Sequence, residues 1–416
     1  MTAVSQARVR SAVRIGSEAE ALSIARELAA EFAVGAAERD RERRLPHAEI
    51  DRLSQSGLLA LTVPARFGGL DLRPSALAEV VSILAAADAS IAQIPHSHFV
   101  YLNLVRLSAG EVLQERIFAD VLAGGRVANA QSERGGKTIA DISTRLSPVA
   151  DRASTRFVLE GEKFYCTGSL FADTLAVLAR LDVAVGDLAP GEYVAFVPAD
   201  ADGVKIVDDW DAVGQRTTGS GTVRFSGVGL GFADLVARAP ATSAPTGYGA
   251  FAQLLHVAID VGIARGALRA ASEFVRTKSR PWFEANVERA VDDPLLVQRF
   301  GELEVEVATA EATLAAAGRR VDAAVGGTPE SPSRELVAEA SIAVATAKVV
   351  ADRVAPSVAS ALFEVSGTRS AAGGGGLDRF WRDARTHTLH DPVRWKYQHI
   401  GRWVLRGEEP PLHGVI

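Results

Sequence analysis

Two histidines three residues apart, His387 and His390, stand just before Asp391-Pro392 near the end of a 416-residue chain. That spacing suits shared metal ligation on one helix face, but no acidic or cysteine cluster lies nearby to complete a ligand set, so no metal is expected. An imidazole with a pKa near ~6.5 changes charge close to neutral pH, which suits His390 as a hydrogen-bond donor and acid. His387 is left with capping or packing as its alternative. A second polar group, Pro95-His96-Ser97-His98, offers His96, Ser97 and His98 as lining for a substrate pocket, with the surface as the other reading for both histidines. Trp210 joins them as a pocket candidate, although it and Trp282 read first as packing residues. The single cysteine, Cys166, forms no intrachain disulfide and reads as a small buried apolar residue. Gly373 to Gly376 lack a strand-to-helix context and read as a loop, not a phosphate cradle.

The elements that must position these groups change character along the chain. Ser17 with Glu20 forms a capping-box pattern, followed by Ala21, Ile24, Leu28 and Phe32 at helical spacing. Pro46 opens a second helix, Gly57 suits its end, and Ser75 is placed as the cap of a third. From about Asn129, short β-rich runs (155–161, 175–181, 193–198, 204–210 and 222–230) alternate with Gly, Asp and Pro turns, which predicts a compact antiparallel sheet. Residues 237–249 read as a linker. Long helices are expected near 250–278, 295–325 and 334–366, with Gly326-Gly327-Thr328-Pro329 and Ser331-Pro332 breaking the second from the third. The acidic run Glu302-Leu303-Glu304-Val305-Glu306 reads as a solvated helix face. The fold class is therefore α+β: an N-terminal helical domain (1–127), a central antiparallel β domain (128–238) and a C-terminal four-helix bundle (239–416).

Composition narrows the function classes. Hydrophobic residues make up 48% and charged residues 23%, and the net charge of −6 argues against a nucleic-acid surface. No secretory signal or membrane-length apolar run is read, and the lone cysteine suits a reducing cytoplasm. No Gly-x-Gly-x-x-Gly follows a strand, so no nicotinamide site is expected.

Four segments, in order, resemble the acyl-CoA dehydrogenase superfamily over nearly the whole chain. They are Val63-Pro64 through Phe67-Gly68-Gly69, Gly161 through Thr167-Gly168, Gly214-Gln215-Arg216 through Phe225, and Phe380-Trp381-Arg382-Asp383. Arg379 through Pro392, with Arg280-Pro281-Trp282 and Asp208-Asp209-Trp210, resembles its flavin monooxygenase branch, which includes dibenzothiophene monooxygenase and the sulfur-acquisition oxidoreductases. Dehydrogenases of this fold tend to carry Glu-Gly-Thr where this chain has Asp391-Pro392-Val393, so proton abstraction by that position is not expected.

The resemblance implies a two-component monooxygenase. Reduced FMN, delivered by a separate flavin reductase, would react with O₂ to a C4a-hydroperoxide that oxygenates the sulfur of a small organosulfur compound. N-hydroxylation of an amine is the nearest variant. An FAD-dependent acyl-CoA dehydrogenase and a non-catalytic scaffold are the other readings, with FAD less expected than FMN. By the same resemblance His390, Thr167 and Asn129 are catalytic. Asn129, Ala130, Ser132, Cys166, Thr167, Arg280, Thr368, Arg369 and His390 hold the cofactor, with Arg280 and the Thr368-Arg369 pair on its phosphate. Ser97 stands where that branch has a tyrosine, which implies a rebuilt pocket. A homotetramer is implied, with Arg280 reaching a neighbouring subunit's flavin. Neither nucleic acid nor membrane is expected as a partner.

Overall fold

The computed structural model describes residues 12–150, 155–325 and 333–416. The first part is helical: α1 (Glu18–Ala33), α2 (Ala36–Glu42), α3 (His47–Gln55), α4 (Pro74–Ala87), α5 (Ala89–Gln93), α6 (His96–Ser108) and α7 (Glu111–Leu122). Ser17 caps α1 by accepting the Glu20 N–H at 3.2 Å, while the Glu20 carboxylate accepts the N–H of Gly16, one residue before the cap. Ser75 differs from its expected role. It lies inside α4, and its N–H and hydroxyl both donate to Asp322, at 2.8 and 2.5 Å, docking α4 on a distant helix.

The β region is one sheet of β1 (Val127–Ala130), β2 (Arg145–Ala150), β3 (Thr155–Lys163), β4 (Thr174–Leu181), β5 (Gly191–Pro198), β6 (Val204–Val207), β7 (Thr222–Leu230) and β8 (Leu235–Ala237). The path runs β6-β7-β3-β2-β4-β5-β8, with β1 added to β4. The expected antiparallel sheet is thus mixed, since β1 and β2 both pair parallel to β4. The run expected over 204–210 stops at Val207, because Asp209 turns to accept the N–H and hydroxyl of Thr222, each at 2.7 Å.

Part of the expected linker is helical, α8 (Ala239–Ser243). Then come α9 (Tyr248–Thr277), α10 (Pro294–Val325), α11 (Arg334–Ser366), α12 (Asp378–His387) and α13 (Arg394–Arg406). The expected break between α10 and α11 lies outside the described residues. Its far side starts at Ser333, whose hydroxyl caps α11 by accepting the Leu336 N–H. Three long helices form the bundle, and the shorter α12 and α13 cover the remaining side of α11. By length and hydropathy α9 could cross a membrane, yet 94% of that window is packed inside the protein. An α-helix apolar on all sides reads as the centre of a large core, and here α4, α10, α11 and α12 surround it. Gly262 and Gly266 permit that packing, since a Cβ on either would stand 2.5 Å or less from a carbonyl of α4.

Candidate active site

α6 enters the core with His96 and Ser97 in its first turn, and from there two polar clusters diverge. Ser97 donates its hydroxyl to Oδ1 of Asn129 on β1 at 3.0 Å. That bond fixes the amide orientation, so Nδ2 of Asn129 faces and donates to the Tyr165 carbonyl at 3.3 Å. Tyr165 has φ of 55°, unusual for a bulky residue, and its ring is more than half exposed, edge-on to Trp210 at 6.0 Å. Two residues on, Thr167 shares a hydrogen bond with Ser220 at 2.8 Å, and Ser220 another with Thr218 at 2.7 Å. One cluster thus carries the Asn129 amide, the four hydroxyls of Ser97, Thr167, Thr218 and Ser220, and the two aromatic rings, with no formal charge among them.

The loop beneath this cluster is held from two sides. Trp210 donates Nε1 to the Gln215 carbonyl at 2.9 Å, and the Gln215 N–H donates to Asp383 on α12 at 2.6 Å. Only glycine fits at 214, because a Cβ there would lie 2.0 Å from the Arg382 carbonyl. Arg382 also pairs with Asp40 of α2 and Asp378 of its own helix. The Arg382-Asp383 motif is therefore the joint between the helical bundle, the N-terminal helices and the β6–β7 loop.

The second cluster is ionisable. His96 donates Nε2 to the Ala252 carbonyl at 3.0 Å, and its ring stacks on His256 of α9 with centroids 3.8 Å apart. His390, in the segment after α12, lies against the same His256 ring at 3.9 Å. Behind them His256 Nδ1 contacts His387 Nε2 at 3.1 Å, and His387 Nδ1 meets Asp260 at 2.6 Å. Lys348 of α11, fully buried, completes the series with Nζ 2.7 Å from Asp260. Burial pushes the His96 imidazole down to about 3, and burial also lowers His256 and His387. Burial alone would raise the Asp260 carboxyl and neutralise Lys348. Contact with His387 and Lys348 outweighs it at Asp260, which is lowered, and Asp260 with the other nearby carboxylates raises Lys348.

Asp391 is turned inward. It is buried, 2.8 Å from the Lys396 ammonium and 3.4 Å from His390 Nδ1. Burial would raise its carboxyl, but the His390 contact and the charges of Lys396 and Lys348 hold it well below the usual carboxylate range. Among the described residues no three His, Cys, Asp or Glu side chains are grouped to hold a metal ion.

Family models for the N-terminal and C-terminal domains of acyl-CoA dehydrogenase match residues 17–125 and 254–395. A dibenzothiophene monooxygenase of Rhodococcus erythropolis is 31% identical over 408 residues, 95% of this chain and 96% of that one. The probable FMNH2-dependent monooxygenase SfnC of Pseudomonas putida is 32% identical over 394 residues, 94% and 96% of the two chains. The solved dibenzothiophene monooxygenase TdsC of Paenibacillus sp. A11-2, in complex with FMN and indole, superposes with TM-score 0.88 at 34% identity, covering 95% of this chain and 99% of that one. The chain belongs to the flavin monooxygenase branch of the acyl-CoA dehydrogenase family.

The uncharged cluster fits the flavin of that family. Its amide and hydroxyls can meet the polar edge of a flavin ring, and Tyr165 and Trp210 supply an aromatic wall. Gln215 Nε2 is a buried donor that makes no hydrogen bond, one a ligand could use.

Within one chain the expected site residues separate into groups. Ser97, Asn129, Thr167 and Trp210 fall in the uncharged cluster, and His96 and His390 in the ionisable one that starts from the same turn of α6. His98 does not join them. Its Nε2 donates to the Leu59 carbonyl and its Nδ1 accepts the Val127 N–H, at 2.8 and 3.1 Å, so no ring nitrogen is left for a ligand. The Cys166 and Ala130 side chains lie in the core of the sheet, fully buried, and burial pushes the thiol up to about 12, so these positions can meet a cofactor through backbone alone. Ser132 is exposed, bridged to Phe164 through its backbone. Arg280, Thr368 and Arg369 lie beyond the C-terminal ends of α9 and α11, where Arg369 donates to the Lys278 carbonyl at 2.8 Å. At ~1.5 Å per residue, that end of α9 is roughly 30 Å from His256. His387 is more than a cap, since it carries the buried link between His256 and Asp260. His256, Asp260, Lys348 and Lys396 were not expected from the sequence. One signal was available: His256 and Asp260 sit four apart, on one face of an otherwise apolar stretch of α9.

Proposed function

We propose that this protein is a two-component flavin monooxygenase that takes reduced FMN from a separate reductase and oxygenates the sulfur of a small organosulfur compound. The overall conversion is reduced FMN, O₂ and a thioether or related sulfur going to FMN, water and the S-oxygenated product. The observation that carries this reading is the state of Asp391. A dehydrogenase of this fold needs a carboxylate free to take a proton. Here the only carboxyl at that place in the chain is buried on an ammonium group and is a weak base. The neighbouring imidazole of His390 is the exposed group instead, with its side chain 43% accessible. Relatives named for sulfur compounds, a dibenzothiophene monooxygenase and a methanesulfinate monooxygenase, are 31% and 32% identical over 95% of the chain, whereas the sequence of an amino sugar nitrososynthase from Streptomyces rubradiris aligns over 59% of it.

Bound reduced flavin supplies the two electrons that activate O₂. Asn129, oriented by Ser97, offers its amide to the flavin edge, and Thr167 offers a hydroxyl buffered by Ser220. Tyr165 and Trp210 would wall the bound ring on one side and limit the access of water to it. His390 holds a proton at its imidazole and gives it to the oxygen that leaves as water. The test is direct. The purified chain should not oxidise NADH. With a flavin reductase, FMN and NADH under air, it should add one oxygen to a substrate in a thioether and sulfinate panel, read by mass spectrometry. NADH oxidation by the pure chain with product formation would refute the two-component reading.

The separated arginines support assembly into a homotetramer. Trp282, Phe283, Leu295 and Val297 are each more than half exposed around the loop that carries Arg280, an apolar surface suited to a second copy. In such an assembly Arg280 reaches the phosphate of a neighbour's FMN. Arg280→Ala then removes a charge-assisted contact worth about 1.5–3 kcal/mol. Anaerobic titration should show reduced FMN binding roughly ten- to a hundred-fold more weakly. Riboflavin, which has no phosphate, should bind nearly as before.

A further inference from the structure

The buried series behind His390 has a chemical direction that follows from its donors and acceptors. Asp260 is ionised and accepts from Lys348 on one oxygen, so its other oxygen can only accept. His387 must therefore carry its proton on Nδ1. Being neutral, it leaves Nε2 as a bare acceptor, and His256 must donate to it from Nδ1. The lone pair of His256 then lies on the ring edge remote from His387. Two neutral rings, one on α9 and one on α12, are thus held in one tautomeric state by a single carboxylate that Lys348 of α11 anchors. Burying a lysine and an aspartate this way is a poor route to stability compared with apolar packing, which makes a positional role the better explanation.

We propose that Lys348, Asp260, His387 and His256 form a positioning relay for His390, which fixes the tautomer and orientation of the His256 ring against which His390 rests. The relay rests on the reading of His390 as the proton donor. With its proton on Nδ1 the His256 ring turns the positive end of its dipole toward His387; the opposite tautomer reverses that dipole and so changes the field at the His390 ring, 3.9 Å away. Groups around His390 include His96 from α6, His256 from α9, His387 from α12, and Asp391 with its partner Lys396 of α13.

Lys348 makes the idea testable. In Asp260→Asn the amide oxygen turns to the ammonium of Lys348, so its NH₂ faces His387 and both rings flip to the Nε2–H form. In the double variant Asp260→Asn/Lys348→Met no ammonium competes, and the amide oxygen can return to His387 and restore the original tautomers. Nitrogen-15 spectra of histidine-labelled protein without flavin, assigned with single His→Gln variants, report these states directly. Reduced-FMN affinity and thermal unfolding are measured alongside, together with product formed per O₂ consumed. Wild-type His256 and His387 are expected protonated on Nδ1, the single variant on Nε2, and the double variant on Nδ1 again. Product per O₂ is expected to fall by at least about ten-fold in the single variant, as when a catalytic histidine is held in the wrong tautomer. In the double variant it returns most of the way. Wild-type rings protonated on Nε2, or tautomers restored without recovery of product, would overturn the relay. If the wild-type chain oxygenates nothing, the proposed function fails, while the flavin-free spectra still decide the relay. If the single variant does not fold, the wild-type and charge-neutral double variant decide it.

Discussion

His390→Phe should keep binding reduced FMN and keep consuming O₂, while oxygenated product gives way to hydrogen peroxide. The phenyl ring preserves the packing against His256, now at 3.9 Å, and removes both ring nitrogens. Asp391 keeps its ammonium partner, so the variant leaves no unpaired buried charge. Loss of a general acid typically costs about 10²–10⁴-fold in rate, enough for an unproductive leak of reduced oxygen to dominate. The measurement is product against peroxide, with total O₂ uptake followed in the same vessel. Asp391→Asn is the contrasting variant. A dehydrogenase would lose anaerobic flavin reduction by acyl-CoA in Asp391→Asn and hardly notice His390→Phe. Unchanged product yield in His390→Phe would remove His390 from the chemistry and return attention to His96, whose ring stacks on the same partner.

The sequence was most informative where local physics decides structure. Ser17 caps the helix whose apolar positions Ala21, Leu28 and Phe32 are buried, and the five longer β runs all form strands. It was least informative where a contact distant in the chain decides. α2 reads as a charged stretch, and only its burial of Arg39 on Asp88 and Glu49 makes it an element. β1, β2 and β8 are short or lack clear alternation, and the parallel pairings to β4 depend on neighbours far along the chain. Ser75 has the residue type of a cap, but an aspartate some 250 positions away determines its partner. For the candidate site, the family motifs pointed to His390, Thr167 and Asn129. His256, Asp260 and Lys348 lie in apolar or alanine-rich helices, and only the packing of α9, α11 and α12 reveals that their polar groups meet. The sequence likewise places His98 one residue from Ser97 without showing that α6 turns it to the opposite side.

Two buried groups outside the catalytic cluster should give opposite pH signatures, separable by single substitutions. Burial pushes His98 down to about 4 from its ordinary 6.5. The unfolded chain therefore takes up a proton first, and the stability this group contributes is present above pH 6.5 and lost as pH falls toward 4. At ~1.36 kcal/mol per unit, the loss between pH 7 and 5 is about 2 kcal/mol. Glutamine can replace both of its backbone hydrogen bonds without titrating, so His98→Gln should gain about that much on the wild type over the same interval. Asp383 runs the other way. Burial raises its carboxyl to about 7, so the folded state holds a proton that the unfolded state has released, and stability declines as pH rises from about 4 to 7. Asparagine keeps the acceptor for the Gln215 N–H at that joint. Asp383→Asn should match the wild type most closely at low pH and gain about 2 kcal/mol on it between pH 5 and 7. Urea titrations at fixed protein concentration and several pH values provide the comparison. Parallel curves for wild type and Asp383→Asn would mean that the carboxylate is ionised in the fold, with Arg379 or Arg382 compensating its burial.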